Sequence, residues 1–274
     1  MSGVGVSGNG AAAAIEEVVA VRYGTLRSHR SEVYHRYAAY GEADAPQDMD
    51  YFFYLLRSGD EVTVVDTGFD PQVARRRGRT CLVPPSEALE RLGVDPARVR
   101  RLIISHFHWD HVGNLGLFPQ AELVVPEREL SFWSTPVARN LQFSSIVEEG
   151  EIAAIERARR EGRVVATGED EQIAPGVRAI TVGGHSPGQQ VLVVEAAAGP
   201  VILASDAVHL YEEFELERPF GFVVDLREMC EAYTLLKGLA ASLRAQVVPG
   251  HDPAVAQRFP CLGGDVDGLG YRLG

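Results

Sequence analysis

The sequence predicts an α/β fold, a four-layer αβ/βα sandwich of two sheets, on three observations. Apolar, β-branched runs bounded by Gly, Pro or charged residues recur at residues 17–26, 51–56, 61–66, 99–105, 121–125, 164–166, 177–182, 190–195 and 201–204, the pattern of strands. Helix-compatible stretches follow each half of that series, at residues 127–160 and 226–243, and would cover the outer faces of two packed sheets. The densest group of metal-binding side chains, His106, His108, Asp110 and His111, stands where one of these runs ends. That is where active sites sit in layered α/β folds.

Taken in order, the first strand is rich in Val and leads into a polar and aromatic connection over residues 29–50 that includes Tyr34, His35, Tyr37 and Tyr40. The runs at 51–56 and 61–66 flank Arg57, Ser58, Gly59 and Asp60, a hairpin pattern. Arg75, Arg76, Arg77 and Arg79 form a basic run in an acidic chain, read first as a solvated face and second as an anion site. Ser86 is a favourable N-cap for a helix through Arg91 and Leu92 that Gly93 closes, and Asp95 with Pro96 opens a turn before the strand at 99–105. Pro126 begins the helical stretch to residue 160, an insertion placed to form one wall of a substrate pocket. Residues 245–248 give a last strand before His251.

With 274 residues, 46% of them hydrophobic, the chain can fill a sizeable core. Residues 15–274 read as one domain behind a disordered tail, residues 1–14, of Gly, Ser and Ala with a few Val. The tail lacks the basic start and sustained apolar run of a signal peptide, and no apolar stretch is long enough to span a membrane. Cys81, Cys230 and Cys261 show no pairing pattern, so the expectation is a cytoplasmic protein with reduced thiols. The formal charge of −12 disfavours nucleic acid as a partner, because its binders carry a basic stripe.

The four candidate ligands occupy six consecutive positions and include three of the eight histidines. Such crowding costs repulsion and desolvation unless a cation is present. Side chains alternate along an extended chain, so His106 and His108 can grip one ion, and a turn can carry Asp110 and His111 toward a second.

The run His-x-His-x-Asp-His resembles the signature of the metallo-β-lactamase superfamily, whose remaining ligands find counterparts in His185 of a Gly-His-Ser-Pro-Gly loop, in Asp206 and in His251. The resemblance implies the same sandwich fold, His106, His108 and His185 on one ion, Asp110, His111 and His251 on the other, Asp206 bridging, and Asp66 supporting the ligands from behind. It implies two divalent ions, zinc first, with iron, manganese or cobalt also suited to imidazole and carboxylate donors. A metal-bridging hydroxide would then hydrolyse a lactone, ester, thioester or amide.

Within the superfamily the chain looks most like the N-acyl homoserine lactonases, enzymes of quorum quenching, and their small-lactone relatives. Those carry a tyrosine three residues after the bridging aspartate. Here that position is His209, Tyr211 is out of register, and Gln189 stands where many relatives have histidine. Asp110 and His209 are therefore the candidate catalytic residues, His209 as oxyanion donor or general acid. The alternatives are an iron-dependent dioxygenase of persulfide dioxygenase type, which resembles His-x-Glu-x-Asp-His where this chain has His108, and a thioester hydrolase of glyoxalase II type. The expected partner is a small molecule, apolar or ring-bearing, in a pocket lined by Phe107, Trp109, Tyr211, Phe214, Phe220 and Phe222. The glutamates of residues 211–219 argue against a strongly anionic one.

Overall fold

A computed structural model describes residues 15–274; the expected tail, residues 1–14, lies outside the described residues. In chain order the strands are β1 (Glu17–Leu26), β2 (Met49–Ser58), β3 (Glu61–Val65), β4 (Thr80–Cys81), β5 (Arg101–Ile103), β6 (Glu122–Pro126), β7 (Val164–Thr167), β8 (Asp170–Ala174), β9 (Val177–Thr181), β10 (Gln190–Ala196), β11 (Gly199–Ser205), β12 (Gln246–Pro249) and β13 (Gly270–Arg272). The helices are α1 (Arg30–Val33), α2 (Pro71–Arg76), α3 (Pro85–Arg91), α4 (Glu127–Trp133), α5 (Leu141–Ser144), α6 (Glu149–Arg160), α7 (Tyr211–Leu216), α8 (Leu226–Leu243) and α9 (Val255–Arg258). One sheet runs β13-β1-β2-β3-β5-β6-β7, with β4 also on β1, and the other runs β12-β11-β10-β9-β8.

Alternation along the strands builds the layers. Val18, Ala20, Phe52, Tyr54 and Leu56 of the first sheet pack against Val177, Leu192, Val194 and Leu203 of the second, a core between the sheets. The intervening residues Val19, Val21, Phe53 and Leu55 face the other way, onto Leu89 of α3 and Ile155 of α6. On the far side Val191, Val193 and Ile202 bury Met229, Tyr233 and Leu236 of α8. Helices therefore cover both outer faces, the four-layer sandwich the sequence predicts. Helix α8 begins where expected because Asp225 accepts from the backbone N–H groups of Arg227 and Glu228, a cap worth about 1 kcal/mol.

Three elements escape the sequence pattern. Strand β8 is exposed or half-buried throughout and polar at its start, so nothing alternates; its pairing with β9 makes it a strand. Helix α7 has only six residues, and β13 forms by pairing with β1. Ser86 lies inside α3 and Pro84 is the cap, with Pro85 at the first helical position. Proline's fixed φ and missing N–H suit that position, so it displaces the serine cap. No described helix is long and apolar enough to cross a membrane.

Candidate metal centre

The candidate ligands converge on one edge of the sandwich, from loops that follow β5, β9, β11 and β12. Strand β3 ends just before Asp66, whose φ of 60° is left-handed, and β11 ends at Ser205, φ 46°, just before Asp206. Neither is glycine, so each conformation costs on the order of 1 kcal/mol and persists only because its surroundings enforce it. At Asp66 the enforcement is a complete set of bonds. Its Oδ1 accepts from the Ser105 backbone N–H at 2.8 Å, and its Oδ2 accepts from Ser105 Oγ at 2.9 Å and lies 2.8 Å from His111 Nδ1.

Three further imidazoles are aimed in a comparable way. His251 Nδ1 lies 2.9 Å from the Asp50 carbonyl, His185 Nδ1 3.1 Å from the Phe222 carbonyl, and His106 Nδ1 3.1 Å from Ser105 Oγ. Their Nε2 atoms are left to face the centre. Asp206 Oδ1 is 3.2 Å from His111 Nε2 and 3.1 Å from His251 Nε2, while its Oδ2 is 3.2 Å from His185 Nε2 and 3.9 Å from His106 Nε2. One carboxylate thus faces both groups. His106, His108, His185 and Asp206 form one cluster able to hold an ion, and Asp110, His111 and His251 form another. At Gly250 an added Cβ would stand 2.9 Å from Asp206 Oδ1, so a side chain there would intrude on the carboxylate.

These residues fit a pair of cations on their own chemistry. His106 Nε2, His108 Nε2, His111 Nε2 and Asp206 Oδ1 are buried without a hydrogen-bond partner, whereas buried polar atoms are ordinarily satisfied. His108 Nδ1 and His185 Nε2 stand 2.8 Å apart, a repulsive meeting of lone pairs unless a proton or an ion lies between them. Burial, reinforced by neighbouring histidines, holds His106 and His185 well below the usual imidazole range, and burial takes His108 down to about 3. His111 goes the other way: burial opposes the charge, but Asp206, Asp66 and Asp110 together hold it well above.

A stability prediction follows for the metal-free protein. His108 is depressed from 6.5 to about 3, so its contribution is complete above about pH 6.5 and is lost as pH falls toward 3. The melting temperature of the metal-free chain is expected to drop steadily from pH 7 to pH 5, read by calorimetry. A flat profile over that window would contradict neutral, buried imidazoles.

Two carboxylates of the site carry no signal in the sequence. Glu129 in α4 is wholly buried and accepts from the Phe107 backbone N–H at 3.1 Å, the Gly188 N–H at 2.7 Å and Trp133 Nε1 at 2.8 Å. It ties the loop of His106 to the loop of His185, and burial raises its pKa. Glu213 in α7 accepts from the backbone N–H of His209 at 2.6 Å and from Tyr233 Oη at 2.6 Å, and lies 3.2 Å from His209 Nδ1. His209 is therefore held from behind and stacks on Phe220 with ring centroids 3.7 Å apart. Its Nε2 lies 3.2 Å from Asp206. Although burial opposes it, Glu213 and then Asp206 raise the His209 pKa to about 9.

The model of the metallo-beta-lactamase superfamily matches residues 49–251, a span that includes every one of the candidate ligands. The chain belongs to the metallo-β-lactamase superfamily. Among its relatives is an N-acyl homoserine lactonase of Bacillus sp, 27% identical over 228 residues, covering 75% of this chain and 82% of that protein. Among solved structures, an N-acyl homoserine lactone hydrolase with its product N-hexanoyl-L-homoserine at the catalytic metal centre superposes with a TM-score of 0.72 at 21% identity, over 90% of this chain and 97% of that one. AidC, a dizinc quorum-quenching lactonase, superposes with a TM-score of 0.66 at 17% identity, over 87% and 89%.

In this member of the superfamily the centre opens into a cavity of about 410 Å³ lined by Trp109, Phe220 and Phe222, and by His209 and Tyr51. Phe107, Tyr211 and Phe214 are not among its walls. Phe107 packs into the core beneath the sheet, Tyr211 between the sheets and Phe214 against α8, because side chains on adjacent positions of a loop or helix leave in different directions. The insertion contributes only Ile146; Leu130 and Ile155 bury into the core instead. Gln189 is buried, its Nε2 donating to the Gln190 carbonyl at 2.9 Å. None of the glutamates of residues 211–219 is among the lining residues: Glu212 pairs with Arg30 and Arg218, Glu217 with Lys237, and Glu213 stands behind His209. They place no charge on the cavity wall, and the expectation against an anionic substrate loses its basis.

Proposed function

We propose that the chain is a dinuclear metal-dependent hydrolase that opens the ring of a small lactone or cleaves a related ester or amide. The observation that carries this reading is the cavity, which brings His108, Asp110, His185, Asp206 and His251 together with apolar and aromatic side chains and a few charged ones. A space of this size suits a small organic ligand. The names of the relatives support a lactone over the thioester and dioxygenase alternatives. Zinc is the metal we assign, supported by the imidazole and carboxylate donors and by the dizinc state of AidC.

His106, His108 and His185 would hold one ion and Asp110, His111 and His251 the other, with Asp206 between them. When bound, such ions supply a hydroxide nucleophile near neutral pH and polarise the carbonyl under attack. The other tasks fall to the chain. Trp109, Phe220 and Phe222 exclude water and orient the ring. Asp110, its main chain tethered by Tyr23 Oη at 2.8 Å, presents a carboxylate that takes the proton released on attack. His209, anchored through Nδ1 by Glu213, turns Nε2 toward the reacting group. There it donates to the oxygen on which charge develops and then protonates the leaving alkoxide.

The test is elemental analysis beside a pH-drop assay on a panel of lactones, esters and thioesters. Two ions per chain with lactone turnover is the expected result; a single iron with persulfide-dependent oxygen uptake would overturn the reading. His209→Ala should lower kcat about 10²–10³-fold with both ions retained, and His209→Tyr should recover part of the loss. Unchanged kcat in both variants would remove His209 from the mechanism.

A further inference from the structure

The cavity carries charges that the proposed reaction leaves unused. Arg27 and Arg79 both line it, and among the described residues neither has a carboxylate within ion-pair distance. Their neighbours differ in this respect, since Arg76 and Arg77 both pair with Glu148, at 2.9 and 2.8 Å. Arg79 is held in place without being neutralised. Its Nε donates to Tyr51 Oη at 3.1 Å, its Nη1 donates to the Arg77 carbonyl, and its guanidinium lies 5.6 Å from the ring of Trp109. Nη2 is left over.

Tyr51 is 2% exposed and also lines the cavity. Because its hydroxyl accepts from Arg79, its own proton remains to be given. Apart from Asp110 and Asp206, the carboxylate on the cavity wall is Glu32, and it is engaged by Ser28 Oγ at 2.7 Å and the His29 backbone N–H at 3.2 Å. A fixed guanidinium beside a free hydroxyl is a paired donor for an oxyanion, and an exposed second cation, Arg27, adds to the attraction.

We propose that Arg79, with Tyr51 beside it and Arg27 adding charge, selects substrates that bear a carboxylate away from the carbonyl under attack. The inference rests on the lactone-opening reading and narrows its substrate class to acidic lactones or esters.

The zinc-loaded enzyme would be assayed on two γ-lactones of identical ring, one substituted with a carboxylate and the other with the methyl ester of that group. The acid is expected to be favoured about ten- to hundredfold in kcat/KM, mainly through KM. In Arg79→Gln the preference should collapse toward unity through a raised KM for the acid, and Arg79→Lys should keep an intermediate preference. Arg27→Gln, at an exposed position where folding is not at issue, should reduce the preference by a smaller factor. Equal kcat/KM for acid and ester in the unaltered enzyme, or a preference untouched by Arg79→Gln and Arg27→Gln, would overturn the inference while lactone opening stands. No turnover of either lactone with both ions bound would overturn lactone opening and this inference with it.

Discussion

Asp206→Ala is expected to reduce bound metal from two ions per chain to fewer than one and to cut lactone turnover by about a thousandfold or more. The carboxylate belongs to the cluster of His106, His108 and His185 and also lies within 3.2 Å of His111 and His251 of the other. His251, His111 and His209 hold it ionised against the cost of burial. Without it His106, His108 and His185 meet one another with no carboxylate in their cluster, and Asp110 alone remains for His111 and His251. Asp206→Asn keeps the shape and removes the charge, so it should bind metal more weakly than the native protein and better than alanine. Elemental analysis after dialysis, paired with the pH-drop assay, reads both effects. Two retained ions in Asp206→Ala would refute the assignment of the bridge.

Glu129→Ala should destabilise the metal-loaded protein by about 3 kcal/mol or more. The substitution strands two buried donors, the backbone N–H groups of Phe107 and Gly188, at about 1–3 kcal/mol for each one left unmet, and removes the acceptor of the half-buried Trp133 indole. At Gly188 an added Cβ would stand only 2.5 Å from the Glu129 nitrogen, so the two segments are already in close contact. Glu129→Gln keeps part of the acceptor capacity and should fall between the two. Urea denaturation of the three proteins measures this; a loss below about 1 kcal/mol in Glu129→Ala would show that water replaces the carboxylate.

The contrast between Asp206 and Glu129 explains what the sequence could and could not disclose. His106, His108, Asp110 and His111 were legible as candidate ligands because their crowding and the apolar run before them are local, whereas His185, Asp206 and His251, each near a strand end, were legible only through the resemblance to the superfamily. Glu129 sits in a helix among Glu127, Arg128 and Ser131, where a charged residue ordinarily faces solvent; its burial arises only when α4 is laid across two loops distant in sequence. Glu213 is hidden in the same way among Glu212, Glu215 and Glu217. The aromatic residues were legible as a group but not one by one, since which of them faces a cavity depends on rotation about each segment. Arg79 was visible as part of a basic run, yet its separation from Arg76 and Arg77 depends on Glu148, about seventy residues away in the chain.

Each proposed ion would draw ligands from both sheets. His106, His108, Asp110 and His111 follow β5 of the first, while His185, Asp206 and His251 follow strands of the second. On that ligation the ions act as rivets along one seam of the sandwich, and the strength of the seam becomes a property of the surroundings as well as of the chain. Ligands that bind only the folded state add free energy with the logarithm of their concentration. Zinc scarcity would therefore loosen the joint between the halves before it emptied the cores on either side, and the first region to open would be the one that performs the chemistry.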